Sequence, residues 1–285
     1  MNVKLGGALG AWLLNLATTV AGPDPSHLDH ELEGKQDVSK VERMFGAQIW
    51  SRMAGKTVVD FGAGFGFEAV SVALHGATKV YGLEIFPEAL EAAEKRATTL
   101  GVSKICEFID PFSQPERLER LWETVDAVYT LDSFEHFADP KAMLGLMYRL
   151  LKPGGTLFVS FGPPWKHPFG AHLGHFNRMP WIHFTFREKT IFEVRSRYCN
   201  DGATRFEEVA QGLNRMTVAR FSEIVRDSKF EIVSLYPVAI KKLTPFTNLP
   251  LTREYFTSVI QAELVKPSQD PANGPRRVGV TRTSA

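Results

Sequence analysis

The chain has 285 residues and 44% hydrophobic content, enough to bury a full core as one large domain with additions or as two small ones. Its 33 basic and 32 acidic residues leave a net charge of +1 without a basic stripe, which argues against a nucleic-acid partner. The two cysteines, Cys106 and Cys199, offer neither a disulfide framework nor metal-finger spacing, a usage that fits a reducing cytoplasm.

From Leu5 to Gly22 the chain is uncharged (LGGALGAWLLNLATTVAG), after a single Lys4. The stretch partly imitates a signal peptide but is too short and too rich in glycine and threonine for a good membrane span. A helix packed on the domain or capping a cleft is expected, with a membrane-surface anchor as the alternative. After GPDP (22–25), a polar stretch to Lys40 reads as a loop or loose lid. Val41, Met44, Phe45, Gln48, Ile49 and Met53 then give helical spacing for one apolar face.

The next elements alternate. A strand over Val58–Asp60 runs into a glycine loop, and a helix over Phe67–His75 is stopped by Gly76. VYGLE (80–84) is a second strand ending in Glu84; Pro87 opens a helix that Gly101 closes. CEFI (106–109) is a third strand leading into Asp110, and DAVYTL (126–131) a fourth. A helix from Pro140 to Leu151 ends at KPGG (152–155), before a fifth strand, TLFVSF (156–161). This order predicts an α/β architecture, a doubly wound parallel sheet with helices on both faces. Beyond an insertion over 162–216, a helix over Thr217–Lys229 and strands over 231–239 and 254–265 close the sheet. The chain thus divides into an amino-terminal helix and lid (1–40), a main domain (41–265) and a tail (266–285) whose composition predicts disorder.

VVDFGAGFGFE (58–68) is the most informative segment. Gly62, Gly64 and Gly66 let the backbone turn sharply from a strand and let a ligand press against it, with a helix amino terminus behind. A dinucleotide loop reads G-x-G-x-x-G; here Phe67 stands where its third glycine would fall. Asp60, ahead of the loop, would repel a pyrophosphate but suits a cofactor that carries an ammonium and a sulfonium. Glu84, at the next strand's end, can accept hydrogen bonds from ribose hydroxyls in either case. The glycine spacing and Asp60 therefore favour S-adenosylmethionine over a nicotinamide dinucleotide.

Residues 56–160 resemble the class I S-adenosylmethionine-dependent methyltransferases, most closely the type-11 branch that includes quinone-ring methyltransferases. The matching blocks are VVDFGAGFG (58–66), VYGLEIFPEALEAAEKRA (80–97), FID (108–110), LDSFEHFADP (131–140) and LLKPGGTLFVSF (150–161). The resemblance implies a Rossmann-like, mostly parallel seven-stranded sheet whose last strand is antiparallel. It places Asp60, Gly62, Ala63, Gly64, Gly66, Glu84, Ile85, Asp110, Pro111 and Asp132 at the cofactor. There Glu84 would hold the ribose and Asp110 lie near the adenine amino group, with Ile85 and Ile109 flanking the ring. The plainer readings are a turn former for Asp110 and a hydrogen bond to the glycine loop for Asp60.

Methyl transfer from a sulfonium is an in-line displacement, and most of the rate comes from holding donor and acceptor together in a dry cleft. An oxygen acceptor also needs a base, for which Asp132, Glu135 and above all His136, just past strand four, are candidates. The insertion segment GPPWKHPFGAHLGHFNRMPWIHFTF (162–186) adds His172 and His175 as further candidate bases. The spacing of His167, His172, His175 and His183 matches no zinc signature, so no metal is expected from the sequence. Trp165, Trp181 and Phe176 read as the lining of an apolar pocket or as the insertion's own small core. Arg195, Arg197, Arg205 and Lys189 read as contacts for an acidic group or as a solvated face.

The expected function is transfer of a methyl group to a small molecule, with oxygen as the favoured acceptor atom. The alternatives are carbon or nitrogen methylation of a hydrophobic or lipid-like substrate, and a cofactor-binding partner subunit without chemistry. A cytoplasmic location is expected, or a peripheral one at the membrane through residues 5–22. The acceptor itself and the oligomeric state are not legible.

Overall fold

A computed structural model describes residues 4–18, 39–174, 176–209, 212–241 and 243–268. Most of the expected lid, the tail from residue 269 onward and His175 lie outside these described residues.

Seven strands form one sheet: β1 (Thr57–Phe61), β2 (Lys79–Leu83), β3 (Cys106–Ile109), β4 (Val125–Leu131), β5 (Leu151–Phe161), β6 (Glu231–Ala239) and β7 (Thr257–Val265). Their order is β3-β2-β1-β4-β5-β7-β6. Pairings from β3 through β5 are parallel, and β7 runs antiparallel to both β5 and β6. The implied antiparallel last strand is therefore present. Sequential winding reverses between β1 and β4, which opens a crevice beyond their carboxyl ends.

Adjacent residues of β1 show why the sheet is buried on both sides. Val58 packs with Val80, Ala93 and Tyr129 beneath the helices Phe67–Leu74 and Pro87–Thr99. Val59 joins Leu144, Met147 and Phe221 under the helices Pro140–Leu150 and Val218–Arg226. Successive strand residues point to opposite faces, so the adjacent Val58 and Val59 are both apolar, one for each face. Two side-chain caps set helix starts: Asp139 accepts from the Ala142 amide at 3.0 Å and Thr217 from the Arg220 amide at 3.1 Å.

The structure corrects two expected elements. The single helical face over 41–53 is two short helices, Lys40–Phe45 and Ile49–Met53, broken at Gly46 with φ of +77°. Residues 254–256, expected in the last strand, end a helix over Pro250–Phe256. Glu254 there accepts from the amides of Val218 (3.1 Å) and Ala219 (2.8 Å). A carboxylate drawn to another helix's free amides holds this turn helical.

The insertion carries a third core, in which Leu173, Phe176, Ile182, Phe186, Ile191, Phe192 and Phe206 pack with Ala11 and Leu14 of the amino-terminal helix Gly7–Ala17. That helix lies on the insertion helix Glu188–Arg195, and Leu5 exchanges backbone bonds with Thr185 and Arg187 at 2.9 and 2.8 Å. Its opposite side presents Leu9, Trp12 and Leu16, each at least 61% exposed. Among the described residues, no helix is long and apolar enough to cross a membrane.

Candidate functional site

The glycine loop leaves β1 with all three glycines in the left-handed region: Gly62 at φ +87°, Gly64 at +49° and Gly66 at +72°. Their surroundings differ. A Cβ on Gly62 would meet Ser133 Oγ at 2.4 Å, and one on Gly66 would lie 2.7 Å from Ala93 Cβ. Above Gly64 there is no atom within 4 Å. Gly62 and Gly66 are thus glycines so that the protein can pack on itself, while Gly64 faces open space in the crevice. The Gly62 and Ala63 amides both donate to the Leu83 carbonyl at 2.9 Å, which ties the loop to the end of β2.

Glu84 stands at that end, 8% exposed. Its Oε2 accepts from the Gly64 amide at 2.7 Å, and its Oε1 from the amides of Ile85 (2.7 Å) and Phe86 (3.1 Å). The carboxylate bonded to the loop is therefore that of Glu84, the place that the plainer reading gave to Asp60. Oε2 has spent one lone pair and retains capacity for a hydroxyl donor.

Asp60 is 3% exposed, and burial drives its carboxyl up to about 8. The facing Tyr129 hydroxyl pulls the other way without a hydrogen bond of ordinary geometry, and the Glu68 and Glu84 carboxylates add to the rise. At pH 7 Asp60 is therefore protonated until a cation arrives beside it.

Asp110 ends β3 as a turn former. Its Oδ1 accepts from the amides of Phe112 (2.9 Å) and Ser113 (3.3 Å), and the Ser113 hydroxyl, above all, lowers its pKa. Pro111 opens this turn. Of the two expected apolar flanks, Ile85 is 48% exposed and open to the crevice side, but Ile109 is 1% exposed and belongs to the core. Phe86 and Phe112, at 41% and 74% exposed, are the free apolar surfaces next to Glu84 and Asp110. An exposed aromatic in a turn was the signal available for Phe112.

Past β4, the chain makes a tight 3-10 turn over Phe134–His136. Asp132, with φ of +45°, forms an ion pair with Lys40 across the mouth of the crevice. Lys40 is in turn positioned by Glu68, whose carboxylate accepts from the Ser39 hydroxyl and the amides of Lys40 (2.9 Å) and Val41 (3.0 Å). Neither Glu68 nor Lys40 was expected at the site; Glu68, an acid in the first turn of the glycine-loop helix, was the readable signal.

His136 is held from behind. Its Nδ1 donates to the Gly212 carbonyl at 2.6 Å, and Asn214 fastens that returning segment by donating to the carbonyls of Phe134 (2.8 Å) and Phe137 (2.9 Å). Because a carbonyl only accepts, Nδ1 carries the hydrogen and Nε2 keeps a lone pair. Burial lowers the pKa of the ring, so it is neutral at pH 7. His172 arrives from the insertion with its ring 5.6 Å from that of His136 at 82°. Its Nε2 donates to the Pro163 carbonyl at 2.9 Å, and burial brings its pKa to about 4.

The remaining insertion residues build structure. His167 and His183 are 7% and 1% exposed, and burial brings both to about 4. Phe176 is core, and Trp165 packs on it, with Phe206 at 5.0 Å. Arg195, 2% exposed, is bound by Asp201 through two bonds of 2.6 Å, so it is not a contact for an acidic ligand. A depression lined by Lys56, Asp126 and Lys152 lies at the opposite, amino-terminal end of β4, far from this crevice, and Lys152 and Asp126 pair there at 2.9 Å.

A family profile described as a methyltransferase domain matches residues 59–159. A stretch of 108 residues is 35% identical to a ubiquinone biosynthesis O-methyltransferase of Pseudomonas savastanoi pv. phaseolicola, covering 38% of this chain and 45% of the relative. Over 109 residues the chain is 38% identical to a ribosomal protein L11 methyltransferase of Aliivibrio fischeri, covering 38% of this chain and 34% of that one. The chain thus spans less than half the length of these curated relatives. Among solved structures, the 4+2 cyclase SpnF superposes with a TM-score of 0.50 at 17% identity, over 78% of this chain and 80% of its own, a likeness of fold. The matched segment holds the glycine loop, Glu84 and the β4 turn, and over residues 59–159 the chain is similar to a methyltransferase domain.

Proposed function

We propose that this protein transfers the methyl group of S-adenosylmethionine to a small-molecule acceptor, with oxygen as the acceptor atom. The observation that carries this reading is the pairing of Gly64 with Glu84: a left-handed glycine facing open space, whose amide holds a carboxylate with a remaining lone pair. That arrangement fits a nucleoside, with the ribose at Glu84 and the amino-acid portion near Asp60 and the loop backbone of Gly62–Gly66. Ile85, Phe86 and the Asp110–Pro111 turn bound the base side. When bound, the cofactor supplies a methyl group already activated on sulfonium.

The chain's own residues then have two tasks. Asp132 and Lys40 close the crevice mouth as an ion pair, which limits water near the reacting atoms. His136, neutral and fixed by Gly212, presents Nε2 as a base for a hydroxyl proton, and His172 is the second base within reach. The relatives named as O-methyltransferases support oxygen. The exposed stripe of Leu9, Trp12 and Leu16 favours a second reading, in which the acceptor is lipid-like and the protein meets a membrane surface.

Calorimetric titration with S-adenosylmethionine, S-adenosylhomocysteine and NADH tests the main reading. Both adenosyl ligands should bind and NADH should not; the reverse sinks it. Glu84→Ala should weaken adenosyl binding by about 1–3 kcal/mol, and an unchanged affinity would remove Glu84 from the site. Tight S-adenosylhomocysteine binding without methyl transfer to any hydroxylated, aminated or lipid acceptor would point to a non-catalytic partner subunit.

A further inference from the structure

Three side chains from two distant segments converge beyond β4 and β5. Glu135, His136 and His172 each bring one ligand atom to a common point, all within 4.8 Å of one another. Glu135 is 2% exposed. Its Oε1 accepts from the Gly162 amide at 3.2 Å, while its Oε2 is buried with no hydrogen-bond partner. A carboxylate oxygen so placed is costly unless something cationic or a donor meets it. Burial and the Asp132 carboxylate accordingly push its pKa well up.

Both rings are prepared in a way that a base alone does not require. Each donates one N–H to a backbone carbonyl, Gly212 for His136 and Pro163 for His172. This fixes the tautomer and leaves one lone pair on each ring, the outer support that metal-bound imidazoles carry. His172 is held in the left-handed region, φ +53°, by the same loop. Two neutral imidazoles and one carboxylate leave coordination positions open, a set that suits zinc, iron(II) or cobalt(II) and not the all-oxygen preference of magnesium.

We propose that Glu135, His136 and His172 form a binding site for one divalent transition-metal ion, with open positions facing the crevice. Bonds of about 2.1 Å put ligand atoms roughly 3–3.5 Å apart, so small rotamer changes close the set around an ion. This goes beyond the methyl-transfer reading and does not depend on it. With the ion in place, His136 Nε2 is a ligand and no longer a base. A hydroxyl bound to the ion then loses its proton more readily, because the cation stabilises the oxyanion. The sequence pattern could not show this set, since it is not shared among the insertion histidines: among the described residues, only His172 of them joins the pair that follows β4.

The test uses the full chain, stripped with a chelator, and needs no cofactor. Zinc by calorimetry and cobalt(II) by visible absorption should each saturate at one ion per chain, with magnesium at least about a hundredfold weaker. Glu135→Gln and His172→Ala should each weaken zinc binding by roughly tenfold or more, while exposed His75→Ala leaves it unchanged. X-ray absorption of the wild-type zinc form should show two imidazoles, a readout that stands if a variant fails to fold. No saturable binding, equal affinity in both site variants, magnesium binding as tight as zinc, or a shell without two imidazoles would overturn the proposal.

Discussion

Asp60 concentrates the electrostatic character of the crevice in one side chain. Its pKa rises from 3.8 to about 8 because it is buried among other acids. The folded state thus holds a proton that the unfolded chain releases, and stability contributed by that proton is complete below about pH 4 and declines toward pH 8. The depressed histidines act in the opposite direction, but only below about pH 6.5. Between pH 6.5 and 8 the wild-type melting temperature should therefore fall relative to that of Asp60→Asn. A constant difference across that window would mean that Asp60 is ionised in the free protein. Binding of a cationic ligand beside it should release up to one proton per site, measurable as a buffer-dependent heat.

At the scale of elements, the glycine loop separates packing from ligand binding. Gly66→Ala must place a Cβ 2.7 Å from Ala93 in a left-handed conformation, and should cost about 2–4 kcal/mol of stability. Gly64→Ala meets only open space and should cost about 1–2 kcal/mol, while cofactor affinity falls more than tenfold. Equal affinity in the Gly64 variant, checked by calorimetry alongside its melting curve, would show that the loop backbone is not a ligand surface.

The same contrast explains what was readable from the chain. β1 to β5 announce themselves as apolar runs bounded by Gly76, Pro87, Gly101 and Pro140, because both faces of each strand are covered. Asp60, Glu84 and Asp110 fall at strand ends for the same reason. The break at Gly46 was hidden because an apolar period continued across it. Residues 254–256 read as the start of the strand over 254–265, whereas the tertiary pull of the Val218 and Ala219 amides on Glu254 holds them helical. The meeting of His172 with His136 depends on long-range bonds that fasten segments distant in sequence, such as those the Asn214 side-chain amide donates to the carbonyls of Phe134 and Phe137. No local pattern encodes such bonds.

Over the whole molecule, apolar surface is spread unevenly. The amino-terminal helix buries Ala11 and Leu14 against the insertion, yet leaves Leu9, Trp12 and Leu16 in water. Each such side chain is worth about 1.5–3 kcal/mol on burial. Replacing all three by serine should reduce co-sedimentation with phosphatidylcholine vesicles by at least tenfold while leaving cofactor binding intact. Equal sedimentation of variant and wild type would remove the membrane-surface reading.

The union of this helix with the insertion core also has a consequence for the order of assembly. Its partners, from Leu173 to Phe206, leave the ribosome more than 150 residues after it does. At 5–20 residues per second, the helix waits roughly 10–30 s with both of its apolar sides uncovered. A chaperone or a bilayer can hold it through that interval. The insertion core is therefore completed by a segment synthesised well before it.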